Sequence, residues 1–515
     1  MRDLQIGASA LINFQRAMDV TAHNIANAAT PGYSRQRPEF ESVEGQRFGR
    51  AYYGNGATIR TVTRSSDAFL EREANRTSSL AAGPNQRLES LKALESLVPT
   101  GPNGLQTMLS DAASAWNDVV DNPQSASARE ILIQKNTAFA ERVRSTASGV
   151  DEMARSAQLQ RAGVVSQIEG LGRSIAGLNK AISESNAPNS PPNDLLDQRD
   201  YAIAQLSGLI DTTTVDGPGG TKDVYVGGSY QLVTGAQSQA FKQDSVSSAT
   251  LSGGTLKGLN DFIEQDLPGV KAKLTEMTRA FGTAFNTQHS LGVQDSGAPG
   301  DVLFQNVDDP SSFVFAITDP KQLALSSKAQ ARPVGANTGL EMGAVTTTSA
   351  TAGALPFTLQ FDGQGQWSSD GGANWAAYTP GKPIETQGYS IALTGTPSAN
   401  AQIEIAAAPP GTLNNGNAKA LSQVRDQVGA DGIRMVEERG IAVSNFVGGQ
   451  VSSTKTIADF STTLSQDASA RRNNTVGVNL EEEATKMMQY QRSYEAAAQI
   501  IKTSQRMWDA LISAV

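Results

Sequence analysis

The sequence predicts a multidomain, mainly α protein: a terminal helical coiled coil plus a long-helix bundle formed by both chain ends, with β-rich inserted outer domains. Three observations lead there. Apolar residues recur every seven positions at both extreme ends of the chain. Helical periodicity runs through most of 66–210, broken by short Pro and Gly stretches. The period then switches to two in much of 211–410, and helix returns from about Asn417.

Taken in order, the chain opens on Leu4, Leu11, Met18 and Ile25, seven apart, with Gly7, Phe14, Thr21 and Ala28 three positions later. This helix stops at Thr30-Pro31-Gly32, because the residue before a proline avoids the α region and Pro-Gly suits the centre of a type II turn. Loops follow, with Ala57 to Val62 as the expected strand. Helix resumes near Ser66, and Gly83-Pro84 is expected to interrupt it before Leu88, Leu91, Leu94 and Leu97. Residues 104 to 185 read as helix, turning once at Asp121-Asn122-Pro123; the clearest stripe is Val164, Ile168, Leu171, Ile175, Leu178, Ile182. A proline-rich break from Asn186 to Asn193 leads into Asp194-Leu195-Leu196-Asp197-Gln198-Arg199-Asp200, a helix start whose carboxylates favour the dipole.

Strands are expected at Thr212–Val215, Val224–Val226 and Gln231–Val233, then helix over 253–290 with Leu274, Met277, Phe281 and Phe285 on one face. Phe313–Ile317 reads as a strand. Phe357, Leu359, Phe361, then Tyr389, Ile391, Leu393, then Ile403, Ile405 alternate as half-buried strands, closed by Pro409-Pro410-Gly411. The expected segments are 1–65, 66–210, 211–344, 345–410, 411–475 and 476–515. The last segment carries Leu480, Met487, Tyr494, Ile501, Trp508 and Val515 seven apart, with Tyr490, Ala497 and Leu511 beside them. At about 1.5 Å per residue it is a rod of roughly 54 Å. Its stripe needs a partner, since a lone amphipathic helix leaves that face in water. The heptads at the two chain ends read as the two strands of one coiled coil; two ordinary core helices are the alternative.

Composition narrows the function. The 515 residues include no cysteine, so there is no disulfide and no thiolate site, and two histidines leave little for zinc or histidine catalysis. No apolar run approaches the roughly 18 residues of a membrane span, and no secretory signal peptide is expected at the polar-studded start. Residues 211–410 hold 10 Lys and Arg against 18 Asp and Glu, so most of the net charge of −9 sits there. That speaks against a nucleic-acid role and for an exposed outer portion.

The stretch from His23 to Gln36 contains Asn24-Ile25-Ala26-Asn27-Ala28-Ala29-Thr30-Pro31-Gly32-Tyr33. With the C-terminal heptads, it resembles the terminal signature of the flagellar axial proteins, the rod, hook and hook-associated family, in which Asn24, Ile25, Asn27, Thr30, Pro31, Gly32 and Tyr33 are the turn motif. Chain length, the 194–200 stretch, Asn414-Asn415-Gly416-Asn417-Ala418-Lys419-Ala420-Leu421 and Leu480 to Tyr494 resemble the junction-forming, hook-associated members. Tyr389 to Pro397 resembles their outer-domain ending, but Asn400-Ala401-Gln402-Ile403 replaces the usual Gly-Asp-x-Phe, which leaves the outer topology open.

The resemblance implies a structural protein without cofactor, exported unfolded through the flagellar type III channel and assembled outside the cell. It implies a ring-like layer of about eleven copies between hook protein and a second junction protein, with an export chaperone on the C-terminal helix. It implies no nucleic acid and no membrane insertion. The assembly seam would be Leu4, Leu11, Phe14, Met18, Ile25, Leu480, Met487, Tyr490, Tyr494, Ile501, Trp508 and Leu511, each fully enclosed side chain worth roughly 1.5–3 kcal/mol. A hook or distal rod protein is the alternative within the family.

An enzyme on a rod-type terminus is the alternative outside it. That would need convergent carboxylates or a metal triad, and no segment offers one. His23 reads as a pH-sensitive contact or a polar helix residue. His289, with Asp295 and Asp301, reads as a metal or acid–base site or one polar loop. Asp362-Gly363 and Asp370-Gly371-Gly372 lack the alternating ligands of a calcium loop and read as β-turns. Glu481, Glu482 and Glu483 read equally as an export patch or an acidic first helical turn.

Overall fold

Ten helices carry most of the described chain: α1 (Arg2–Ala26), α2 (Ala68–Leu97), α3 (Leu105–Asp121), α4 (Ala126–Ser185), α5 (Asn193–Leu209), α6 (Thr255–Asp261), α7 (Leu267–Leu291), α8 (Gly416–Gln423), α9 (Glu437–Val476) and α10 (Leu480–Ser513). The computed structural model describes residues 2–48, 51–102, 104–185, 187, 190–335, 338–409, 414–428, 434 and 436–513. Part of the break at 186–193, the Pro410-Gly411 closure, the Leu511 side chain and Val515 lie outside the described residues. The fold is mainly α with β-rich inserts. Among the described residues no helix is long and apolar enough to cross a membrane.

The chain divides into two compact units, one of Met1–Ser90, Ser156–Ile263 and Ser452–Val515, the other of Leu91–Arg155 and Glu264–Val451. In the first, Val164, Ile168, Ile175 and Ile182 of α4 are buried, as their four-and-three spacing requires. Val164, Ile168 and Ile175 pack with Ile203 and Leu206 of α5 onto a four-stranded antiparallel sheet whose first three strands are Thr212–Asp216, Lys222–Val226 and Tyr230–Thr234. Val224, Val226, Leu232 and Val233 of the sheet belong to that core, with Phe241, Leu251, Leu256 and Leu259.

Helix α2 departs from expectation, because it runs unbroken through Pro84. The reason is external. Gly254 donates its backbone N–H to the Ser79 carbonyl at 2.7 Å, and Cβ atoms on Gly253 or Gly258 would collide with the α2 backbone. A neighbouring glycine-rich segment therefore lies directly on the helix where the proline disturbs its ladder.

In the second unit, α3, α4 and α7 close around an aromatic core of Trp116, Phe139, Phe281, Phe285, Phe304 and Phe313, all fully buried. Phe139 meets Phe281 edge-on at 5.2 Å, and Phe304 stacks on Phe313 at 5.3 Å. Only Val314–Phe315 of the expected Phe313–Ile317 strand pairs, with Phe304–Gln305. The apolar run is there because this core takes its rings.

A two-sheet antiparallel sandwich also belongs to this unit. One sheet runs in the order Ala329–Val334, Gln402–Ala407, Phe357–Phe361, Gln366–Ser368, Ala376–Ala377; the other is Leu340–Thr347, Tyr389–Gly395, Ile384–Thr386. Leu359, Phe361, Ile403 and Ile405 share one core with Val345, Ile391 and Leu393. The segment that departs from the family pattern thus leads into a central strand, paired on both sides.

The two loops that faintly resemble calcium sites spend their carboxylates on themselves. Asp362 accepts from the backbone of Gln364 and Gln366, and Asp370 from Ser368 and from the backbone and side chain of Asn374. His289 lies on neither a polar loop nor a metal site. It is fully buried on α7, with Nδ1 2.6 Å from the Asp301 carbonyl and Nε2 accepting from the Ala324 N–H at 2.8 Å. Burial drives its pKa down to about 4.

Candidate assembly interface

Helices α1 and α10 pack against each other, antiparallel: Gly7 lies opposite Ile501, and Asn24 meets Glu483. A Cβ on Gly7 would fall 2.7 Å from Ile501 Cγ1, so the missing side chain is what lets the helices approach. The buried residues of α1 are small or polar, Gly7, Asn13, Ala17, Thr21 and Asn24; Gly7 and Asn24 touch α10, and Asn13 turns to the strand beyond. Leu4, Leu11, Phe14, Met18 and Ile25 flank these residues, half-buried, and Ala28 lies past the helix end, exposed. On α10, Glu483 and Ala497 are buried and Met487, Tyr490, Tyr494 and Ile501 half-buried. Leu480 and Trp508 remain 55% and 48% exposed.

With Ile501 opposite Gly7, about the last two turns of α10 run past the start of α1. That overhang displays Met507, Trp508 and Ile512 to solvent. The outer side of α1 is held by Asn13, which donates to the Ala57 carbonyl at 2.6 Å and accepts from the Ile59 N–H at 3.2 Å. Phe40 bridges the helices, its ring 6.2 Å from Phe14 and 6.3 Å from Tyr490.

The turn after α1 has the geometry its sequence dictates. Tyr33 N–H donates to the Thr30 carbonyl at 3.2 Å, and Gly32 has φ +82. A Cβ there would also lie 2.7 Å from Tyr201 Cβ. Asn27 and Thr30 join through side chains, and His23 stands edge-on to Tyr33 and 3.7 Å from Asp194.

Asn24 is the hub, with all four of its hydrogen-bonding positions used. Its amide donates to the Gln36 carbonyl and to Glu483 Oε2, both at 2.8 Å. Its oxygen accepts from Tyr33 O–H at 2.8 Å and Gln36 N–H at 2.9 Å. The other Glu483 oxygen accepts from Arg35 Nε at 2.7 Å, while Arg35 Nη1 pairs with Glu482 at 2.8 Å. Arg35 Nη2 lies 2.6 Å from the same Glu483 oxygen, off the hydrogen-bond axis, so that contact is ionic only. Arg35 and Glu483 are both buried; without Glu483, Arg35 keeps Glu482 at 2.8 Å, and without Arg35, Glu483 keeps Lys486 at 3.7 Å, so either loss weakens the lock without stripping the other charge of its last partner.

A second charge cluster ties the turn to α5. Asp197 accepts from Ser34 N–H at 3.0 Å and from Arg64 at 2.7 Å; Arg64 also pairs with Asp200, which takes Lys222 at 3.0 Å. Gln36 donates to Asp194 at 3.1 Å. Burial pushes Asp197 above the usual carboxylate range, against Ser34 and Arg64. Burial acts the same way on Asp200, but Arg64 and Lys222 outweigh it and hold it low. Burial, then Asp197, Asp194 and Glu483, push the Tyr33 phenol well up, so it stays a donor to Asn24.

Sequence reasoning missed Arg35, Ala17, Asn13 and the meeting of Glu483 with the turn. In the folded chain Glu483 is more than a dipole partner; it closes a lock between chain ends. No local signal announces this, since its two halves lie more than four hundred residues apart.

The two segments that meet here each match a family: residues 4–33 the flagella basal body rod protein, and 472–514 the flagellar basal body rod FlgEFG protein C-terminal region. Residues 91–304 match the flagellar hook-associated protein FlgK helical domain. The chain is thus similar at both ends to the flagellar rod proteins and between them to the flagellar hook-associated protein FlgK. Its relatives over the full length are flagellar hook-associated protein 1. The Escherichia coli K12 protein is 24% identical over 97% of both chains, and that of Bacillus subtilis 168 is 24% identical over 99% of this chain and 97% of its own. The flagellar hook junction protein FlgK from Burkholderia pseudomallei shares the fold, with a TM-score of 0.67 at 19% identity, covering 78% of this chain and 99% of that one.

Proposed function

We propose that this chain is a structural, non-catalytic axial protein of the bacterial flagellum that joins hook to filament, assembling with its own copies into a tubular junction layer through its paired terminal helices. The observation that carries this reading is the α1–α10 pair with its uncovered apolar overhang, in a chain whose full-length relatives are named for hook association. A subunit that shows Met507, Trp508 and Ile512 to water gains by burying them against a neighbour. The seam residues from Leu4 to Ile25 and Leu480 to Leu511 are assigned to that contact, and the 24–33 turn to holding it. Its partners on this reading are about ten further copies in the ring, hook protein below and a second junction protein above. An export chaperone covers the C-terminal helix until the chain has left the cell by type III export, without a cleaved signal.

Deleting Glu482–Val515 tests this. The expected strain does not swim and leaks filament protein into the medium; normal swimming would remove the junction reading.

A further inference from the structure

The apolar face of α10 does not by itself say which way the helix is turned. In its second half the residues turned to α1 are Ala497 and Ile501, and each is preceded by an identical residue, Ala496 and Ile500; beyond the start of α1 the overhang repeats the pattern with Met507 and Trp508. Turned by one residue, about 100°, that half would offer α1 an equivalent stripe. The near half is different. There the line contains Glu483, whose two oxygens are divided between Asn24 and Arg35, and Tyr490, whose ring meets Phe40.

We infer that Asn24 and Arg35 form a receptor that reads Glu483 and thereby sets the rotational phase of α10 on α1. A buried polar group at one position of a helix pair is the known physical means of fixing alignment where apolar residues are permissive. The phase matters because it decides which residues are left outward. With Glu483 in the lock, Ile500 and Met507 are 50% and 57% exposed, on the side free for a second copy. With Glu482 in the lock, Ile500 would turn inward and Ile501 outward. Asn24, Arg35 and Glu483 are thus positioning residues, and the consequence for assembly rests on the junction reading above.

The chain has no cysteine, so introduced pairs report cleanly. Full-length chains carrying Gly7→Cys with Ile501→Cys, or Gly7→Cys with Ile500→Cys and Ile501→Ala so that neither chain keeps the Ile501 Cγ1 against the new Cβ, are oxidised in cells, and the intramolecular crosslink is quantified on non-reducing gels. The expected preference for the 501 pair is about tenfold, as for a phase difference of one decade. Glu482→Ala should leave it there, since Glu483 still fills the lock. Glu483→Ala should cut it to about threefold or less, because Glu482 is one residue away and takes its place. Asn24→Ala, which alters the other half of the lock, should cut it likewise. A preference that survives both Glu483→Ala and Asn24→Ala, or that falls as far with Glu482→Ala, overturns the inference. Neither result touches the junction reading, which stands or falls with the Glu482–Val515 deletion.

Discussion

At the scale of single residues, one buried histidine ties the stability of the second unit to pH. His289 is held neutral, its Nε2 spent on the Ala324 N–H and its Nδ1 on the Asp301 carbonyl. Burial lowers its pKa from an ordinary 6.5 to about 4. Between those values the unfolded chain takes up a proton that the folded chain refuses. The stabilisation is therefore complete above about pH 6.5 and is lost as pH falls toward 4. The full swing is on the order of 3 kcal/mol. Urea midpoints at pH 7 and pH 5 should differ more in the natural chain than in His289→Asn, although the variant is weaker at both. Equal slopes for the two would show that His289 is not what acid attacks.

At the scale of elements, the helix pair shows what periodicity reveals and what it hides. The heptads at both ends are legible because Leu, Met, Tyr and Ile recur where a seam needs them. They do not reveal that α1 buries Gly7, Ala17, Thr21 and Asn24 in preference to its large residues, because such patterns weight large side chains, while close approach, as at Gly7, selects small ones. The α4 stripe was legible for the same reason as the heptads. Pro84 was misread because the rule that prolines end helices ignores Gly254, which reaches the α2 backbone from far along the chain. The lock itself was invisible: Glu483 reads locally as a first-turn carboxylate, and Asp197 and Asp200 read the same way on α5.

The small buried residues make a prediction. Ala17 has no exposed surface, so Ala17→Leu forces extra volume into a closed face of α1 and should cost about 1–3 kcal/mol of its packing. Met18→Leu, at a half-buried flank, should cost under about 1.5 kcal/mol. Swimming haloes should therefore shrink sharply for the first and little for the second. The reverse order would mean that the large residues, and not the small ones, carry the packing.

At the scale of the whole molecule, one insertion leaves and returns at neighbouring points. It is the sandwich. Its first strand pairs with its last, Ala329 opposite Ala407 and Val334 opposite Gln402, so the chain enters and leaves side by side. Its core is self-contained, with Leu359, Phe361, Ile391, Leu393, Ile403 and Ile405 all but free of solvent. Ends that meet and a core of its own are what an independently folding domain requires. The fragment from Lys328 to Ala408 should accordingly fold alone. At about 80 residues with one core and no disulfide, its stability should be roughly 3–5 kcal/mol. It would show one cooperative urea transition, with the Trp367 and Trp375 fluorescence changing together with the far-ultraviolet circular dichroism signal. The same transition should persist in a full chain stripped of residues 1–33 and 477–515, because none of its core residues lies in the helix pair. A fragment without a cooperative transition would show that the sandwich borrows its stability from helix α8. That helix already touches it where Thr346 Oγ1 donates to the Gly416 carbonyl.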